Sequence, residues 1–471
     1  MRAKVQIFIR FVFLSMKEVY LCGKIYFLKT DISFKNLNRL AIPALIAGIA
    51  EPLLSITDTA IIGNIDINAV ENLAAVGIVG AFISMLIWVF GQIRSAISSI
   101  ISQYVGANKL DEVKELPAQA IIIVIITSLI VLVISYPFAA TIFKFYNASG
   151  LVLEYAVDYF KIRIFGFPFS LFVFAVFGVF RGLQNTYYPM MIAIIGALLN
   201  IVLDIALVYG VEGFISPMYI KGAAYASVVS QITMALIAAF LLIKRTSISL
   251  KIHLPFNKEI KRLLYMMSNL FVRTIALNIA LYFGTSYATS YGKEYIAAYT
   301  IGLNIWFLGA FMIDGYSSVG NILSGKLIGE RDYKTLLRLS TKLTKYGFLI
   351  GVFLAIGGFI FYDFIGMIFT KETDVLEKFN ETFWIILAIQ PICAITFIFD
   401  GIYKGMGEMK VLRNLLLFSS GIVFIPVLLF LDYLDYQLHA IWIAFTCWII
   451  IRGFPLIILF RRKFLPLAQN K

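Results

Sequence analysis

Asn38-Arg39-Leu40 and, 223 residues later, Lys261-Arg262-Leu263 open two halves of one duplicated sequence. At the same offset Gly106 falls on Gly329, Pro168 on Pro391, Gly178 on Gly401, and Arg181-Gly182 on Lys404-Gly405. A duplication in a chain this apolar predicts two helical bundles with a cleft between them. It also supplies an internal control, because a buried polar residue present in one half and absent from the other is not demanded by the architecture.

Of the 471 residues, 61% are hydrophobic and 14% charged, too few charges for a soluble chain of this length. Apolar runs such as Ala120 to Phe143 and Gly347 to Phe369 are long enough to cross the ~30 Å hydrocarbon core as helices, and they lack the alternation of a membrane barrel. Cys22, Cys393 and Cys447 form no motif, and His253 and His439 are far apart, which argues against a zinc site, a disulfide framework or His-based catalysis. No Gly-Lys-Ser/Thr phosphate loop is present, so no cofactor is expected and any active transport must draw on an ion gradient. The net charge of +13 resides between the apolar runs and does not imply nucleic acid.

Twelve spans are expected, at 40–63, 73–104, 118–143, 155–180, 187–210, 220–243, 260–290, 296–325, 343–369, 380–403, 411–431 and 437–460. The corresponding units are a basic, unassigned segment 1–34, an N-lobe 35–245, a linker 246–259, a C-lobe 260–463 and a tail 464–471. Segment 1–34 reads either as an interfacial helix or as the product of an early start, with Met16 the alternative. Basic residues cluster in alternate loops: the N-terminal segment, Lys109/Lys114, Arg181, Lys244 to Leu263, Lys326 to Lys345, Lys404/Lys410/Arg413 and Arg461-Arg462-Lys463. The other loops carry Asp66, Glu71, Glu154, Glu212, Asp432 and Asp435, with Lys293, Lys371 and Lys378 as exceptions. The positive-inside rule then places both termini in the cytoplasm of a multi-pass protein of the inner or plasma membrane. Six spans per half give both halves the same orientation, so the repeat is parallel, about an axis along the membrane normal.

Ionisable residues inside spans cost ~2.5–3.5 kcal/mol near the centre and mark candidate sites. Asp58 in span 1 and Asp204 in span 5 have Leu281 and Val427 as repeat counterparts. Both lie roughly 7–9 Å below the outer boundary by helical rise, with Asn200 on the face of Asp204 and Ser227 at similar depth in span 6. Two carboxylates, an amide and a hydroxyl at one level suit a proton or a hard cation such as Na⁺. Pro43 and Pro52 precede Asp58 in the same span and permit bending. Asp314 is also unmatched, opposite Gly91; Asp400 reads as an i,i+4 pair with Lys404, and Arg94 needs a partner. Asn278, Tyr282, Asn304 and Gln390 are candidates to line the cleft, with Asp314.

Glu51-Pro-Leu-Leu-Ser-Ile-Thr-Asp58-Thr-Ala-Ile-Ile-Gly63 resembles the first-helix signature of MATE (multidrug and toxic compound extrusion) transporters, in their DinF-like branch. Gln103-Tyr-Val-Gly106-Ala, Arg181-Gly-Leu-Gln-Asn-Thr186, Asn200-Ile-Val-Leu-Asp204, Lys221-Gly-Ala-Ala-Tyr-Ala-Ser227 and Asp314-Gly-Tyr follow in the family's order, over residues 35 to 463. The resemblance implies a V-shaped pair of six-helix lobes and a cation-coupled exporter, with H⁺ or Na⁺ the coupling ion at Asp58, Asn200, Asp204 and Ser227. Ser227 and Asn321 stand where the family often has Thr and Glu. The implied partner is a small cationic or amphipathic molecule handled by a monomer in contact with membrane lipid. A flippase for a lipid-linked saccharide is the neighbouring reading and would need a strongly cationic cleft, whereas the unmatched charges in the sequence are mainly acidic. A membrane-embedded enzyme would need a clustered His/Asp or Cys site, which the sequence lacks.

Overall fold

The computed structural model of the chain describes residues 30–65, 68–248, 250–251 and 255–469. The expectations for segment 1–29, Asp66 and His253 lie outside the described residues. Helix α1 (Phe34–Ile62) has 29 residues and, at ~1.5 Å per residue, exceeds the ~30 Å hydrocarbon thickness. Eleven more helices among the described residues are long and apolar enough to cross a membrane. They are α2 (Val70–Gly106), α3 (Leu110–Ser135), α4 (Gly150–Gly182), α5 (Tyr187–Val208) and α6 (Tyr219–Arg245) in the first half. The second half holds α7 (Ile260–Tyr291), α8 (Lys293–Glu330), α9 (Tyr333–Ile360), α10 (Thr373–Met406), α11 (Met409–Tyr433) and α12 (Gln437–Gln469).

Two of these helices end earlier than hydropathy predicts. The spans expected at 118–143 and 343–369 stop at Ser135 and Ile360, and short helices Ala139–Phe145 and Tyr362–Phe369 follow. After α3 the break falls at Tyr136-Pro137, where proline has no N–H to continue the ladder. After α9 it falls at Phe361, and the two short helices occupy matching positions in the repeat. The apolar run is continuous across both breaks, so composition alone cannot locate them. At the other end, the stretch expected as a tail from 464 continues α12 to Gln469; Phe464 is buried against Phe460 and Tyr333.

The duplication is visible as backbone contact. A Cβ on Gly106 of α2 would lie 1.9 Å from the carbonyl oxygen of Lys326 on α8, and one on Gly329 of α8 would lie 2.0 Å from that of Gln103 on α2. Lys326 is the repeat counterpart of Gln103, so the two contacts are images of each other, as at an isologous interface. Within each half the same rule recurs: Gly178 meets the Arg94 carbonyl and Gly401 meets that of Ser317, the counterpart of Arg94. Helices α2 and α8 therefore cross on a pseudo-twofold axis, and six spans in each half make the repeat parallel.

Polar contacts between the halves lie on the side of the linker. Ser99 Oγ and Gln103 Nε2 each donate to the Gly405 carbonyl at 2.9 Å. Arg262 Nη2 donates to Gln103 Oε1 at 2.5 Å, and Arg181 Nη1 to Ser318 Oγ at 3.0 Å. Farther from the linker the contact is aromatic, with Trp88 edge-on to Phe307 at 5.6 Å. Between α2 and α7 lies a cavity of about 220 Å³.

The glycine contacts yield a test. Gly106→Ala and Gly329→Ala should each cost ~1–3 kcal/mol by overpacking a backbone approach and lower the melting temperature of the detergent-solubilised protein. Gly77→Ala, where nothing lies within 4 Å of an added Cβ, should not lower it.

Candidate cation site in the N-lobe

Helices α1, α5 and α6 form one corner of the N-lobe. Gly222 lets α6 touch the backbone of α5, because a Cβ there would meet Leu207 C at 2.6 Å, and Gly196 accommodates Met234 across the same interface. The close approach allows the short side chain of Ser227 to reach between its neighbours. Ser227 Oγ donates to Asp58 Oδ2 at 3.2 Å, and Asn200 Nδ2 donates to Ser227 Oγ at 3.5 Å. Asp204 lies one turn beyond Asn200 on α5, and its carboxylate is within hydrogen-bonding reach of that of Asp58. All four residues are at most 4% exposed.

The site is rich in acceptors and poor in donors. Asp58 Oδ1, Asn200 Oδ1 and both oxygens of Asp204 have no hydrogen-bond donor among the described residues. Two ionised carboxylates cannot supply the proton for a bond to each other, and a buried unsatisfied acceptor costs ~1–3 kcal/mol, more when charged. The arrangement fits a group that brings positive charge and accepts oxygen ligands: a proton shared by the carboxylates, or a hard cation such as Na⁺. Sequence reasoning reached these four residues and missed two beside them. Arg163, where α4 passes through the 3-10 turn Ile164–Gly166, acts electrostatically on both carboxylates. Tyr159, 3% exposed, hydrogen-bonds Arg163. The available signal is an arginine inside an apolar span, the same signal that marks Arg94.

The cleft candidates do not form one group. Asn278 and Tyr282 line the inter-lobe cavity with Met85, Val89, Ile275 and Ile279, and Asn304 is exposed on α8. Gln390, expected in the cleft, is instead 3% exposed inside the C-lobe, where Gly309 leaves room for its amide against α8. Asp314 is partly buried at the lobe junction, its Oδ2 3.6 Å from the Cβ position of Gly48. Asp58 and Asp204 lie inside the N-lobe and not on the cleft wall, so they say little about the charge a substrate meets there. Asp400 does pair with Lys404 (2.9 Å), and it also holds Arg273 (2.5 Å) and Arg452 (3.3 Å), two intramembrane arginines not singled out from sequence.

This geometry can be set beside known proteins. The MatE family description matches residues 43–206 and 270–430, one match in each half and well over half of the chain. The chain belongs to the MatE family of membrane transporters. It is 24% identical to DNA damage-inducible protein F of Escherichia coli over 437 residues, covering 91% of this chain and 92% of that protein. It is 25% identical over 430 residues to a protein named probable multidrug resistance protein NorM from Thermotoga maritima, covering 89% and 90%. A solved structure described as MATE in the bent conformation superposes with a TM-score of 0.85 at 21% identity, covering 93% of this chain and 96% of that one. MatE proteins are transporters and not enzymes, in keeping with the absence of a catalytic constellation from the sequence.

The two acidic centres should respond oppositely to neutralisation. Asp400→Asn leaves three buried cations around an amide and should destabilise the protein by ~3–5 kcal/mol, seen as loss of monodisperse protein on size-exclusion chromatography. Asp58→Asn and Asp204→Asn remove charge from a site short of donors and should melt no lower than the parent.

Proposed function

We propose that the chain is a secondary active exporter of small amphipathic or cationic molecules, driven by H⁺ or Na⁺ antiport through alternating access. The observation that carries this reading is the convergence of buried acceptor oxygens of Asp58, Asn200, Asp204 and Ser227 on three different helices of one lobe. Their repeat counterparts include Leu281 and Val427, so the fold does not demand carboxylates at these places. Neutralising the pair by a proton or a cation removes a like-charge repulsion between α1 and α5. It thereby shifts the helix that also packs against α8 of the other lobe. Pro43 and Pro52 within α1 leave backbone carbonyls free and give that helix a place to bend. Coupling then amounts to one site whose charge state favours one of two arrangements of the lobes.

Orientation forms part of the proposal. Loop charge favours a cytoplasmic linker, so the glycine and polar contacts described above would close the cytoplasmic side and the cavity between α2 and α7 would open outward. A cysteine at exposed Lys410 should resist impermeant thiol reagents in intact cells, and one at Tyr433, 87% exposed at the opposite end, should react. Labelling of the first and protection of the second would reverse the topology.

Ethidium efflux from vesicles under separate pH and Na⁺ gradients tests the coupling. Asp58→Asn and Asp204→Asn should each nearly abolish gradient-driven efflux, and the double substitution should cost little more, because the two act as one unit. Leu281→Asp should not rescue Asp58→Asn. Near-normal efflux by the single variants under both gradients would make the carboxylates structural.

A further inference from the structure

The charges at the lobe junction have the opposite sign to those inside the N-lobe. Arg94 follows the break of α2 at Gly91, is partly exposed, and lies over the Phe174 ring at 5.5 Å. Arg181 on α4 is 4% exposed and crosses to α8, where its single hydrogen bond among the described residues is to Ser318 Oγ at 3.0 Å. Asp314 precedes Ser318 by one turn of α8, and its charge reaches Arg94, Arg181 and Lys404. Lys404 is the repeat counterpart of Arg181, so these two basic groups flank the pseudo-twofold axis. Behind them, Asp400 is engaged by Lys404, Arg273 and Arg452. Five basic groups thus share two carboxylates, an excess of three positive charges.

Donors remain unused. Arg181 Nε and Nη2, Arg94 Nε, Arg273 Nε and Arg452 Nη1 have no hydrogen-bond partner among the described residues. Guanidinium groups present planar forks that match an oxyanion, and buried charged donors are costly to leave unpaired. The repeat does not require this arrangement, since Arg94 corresponds to Ser317 and Asp314 to Gly91. On the side away from the linker the wall is aromatic. Trp88 on α2 and Phe307 on α8 meet at 5.6 Å, and Phe311 stacks on Phe307 at 6.4 Å. Trp88 is about two turns from Arg94, and Phe307 about two turns from Asp314. The charged groups and the aromatic contact between the lobes thus lie about two turns apart along α2 and α8.

We propose that the floor of the inter-lobe cleft is an oxyanion site, in which Arg94 and Arg181, backed by Lys404, hold a phosphate or sulfonate group carried on an apolar body. This names a substrate class for the exporter proposed above and rests on that reading for transport, though not for binding. The same chemistry could be presented by a free amphipathic anion or by a lipid headgroup. The sequence-based preference for a cationic substrate came from carboxylates that lie inside the N-lobe, away from this floor.

Binding to the purified full chain in detergent tests the proposal with three probes: 1-naphthyl phosphate, lysophosphatidic acid and ethidium. At least one of the two phosphates should bind saturably. Arg181→Gln should weaken it tenfold or more, Arg181→Lys should weaken it less, and in both variants the phosphate should lose more affinity than ethidium. Arg94→Gln, at a partly exposed position, should lower phosphate affinity in the same direction and serves as the test if Arg181→Gln does not fold. Dependence with naphthyl phosphate assigns a free anion; dependence with the lysolipid alone assigns a headgroup. Phosphate affinity that is unchanged in both Arg181→Gln and Arg94→Gln, or absent from the parent, overturns the oxyanion site. Ethidium efflux that still depends on Asp58 in that case leaves the exporter reading intact, whereas phosphate binding without any Asp58-dependent efflux sinks the exporter reading alone.

Discussion

Two backbones touch where Gly106 and Gly329 omit a side chain, and the arrangement of the lobes depends on that contact. Each glycine sits against the carbonyl of the residue that is the repeat image of its own neighbour three positions back. A Cβ at either place would overlap a backbone carbonyl, and the reciprocity of the two contacts is that of a twofold relation between the halves. Once α2 and α8 cross on the axis, α10 and α4 pack against them by the same glycine rule, and the linker side of the cleft is closed by Ser99, Gln103, Arg262 and Arg181. The remaining surfaces can then diverge between the lobes without disturbing the frame.

Function lies in that divergence. The N-lobe encloses an acidic centre short of hydrogen-bond donors, and the C-lobe encloses Asp400 surrounded by three cations. The first can be relieved by an arriving cation, while the second is already compensated and acts as ballast for the lobe. Helix α1 connects the acidic centre to the lobe junction, because its far half meets α5 and its linker half meets α8, where Asn38 accepts a short hydrogen bond from Tyr316. Under the proposed coupling, a change of charge at Asp58 would reach that surface through one helix, which Pro43 and Pro52 allow to bend.

Most of this frame was legible in the sequence. The 223-residue offset reveals the duplication, six spans per half predict the parallel axis, and depth along the helices places Asp58, Asn200, Asp204 and Ser227 at one level. Three things were not legible, each for a physical reason. Hydropathy could not see the helix breaks at Pro137 and Phe361, because the residues on either side are equally apolar. Rotational setting decides whether a polar residue faces cleft or core, and Gln390 went inward because Gly309 on another helix made room. Arg163, Arg273 and Arg452 obey the same intramembrane-charge rule that singled out the aspartates, and their partners are set by tertiary packing that one sequence does not reveal.

The central claim is that Asp58 and Asp204 bind a proton or a cation as one unit. Difference infrared spectroscopy of the purified protein, following the carboxylic C=O stretch as pH is lowered in Na⁺-free buffer, measures this directly. The account predicts a protonated-carboxyl band in the parent that is lost from, or shifted in, both Asp58→Asn and Asp204→Asn, and that added Na⁺ diminishes if Na⁺ competes for the site. A band that survives unaltered in either single variant would show that the carboxylates titrate independently, and would contradict the account.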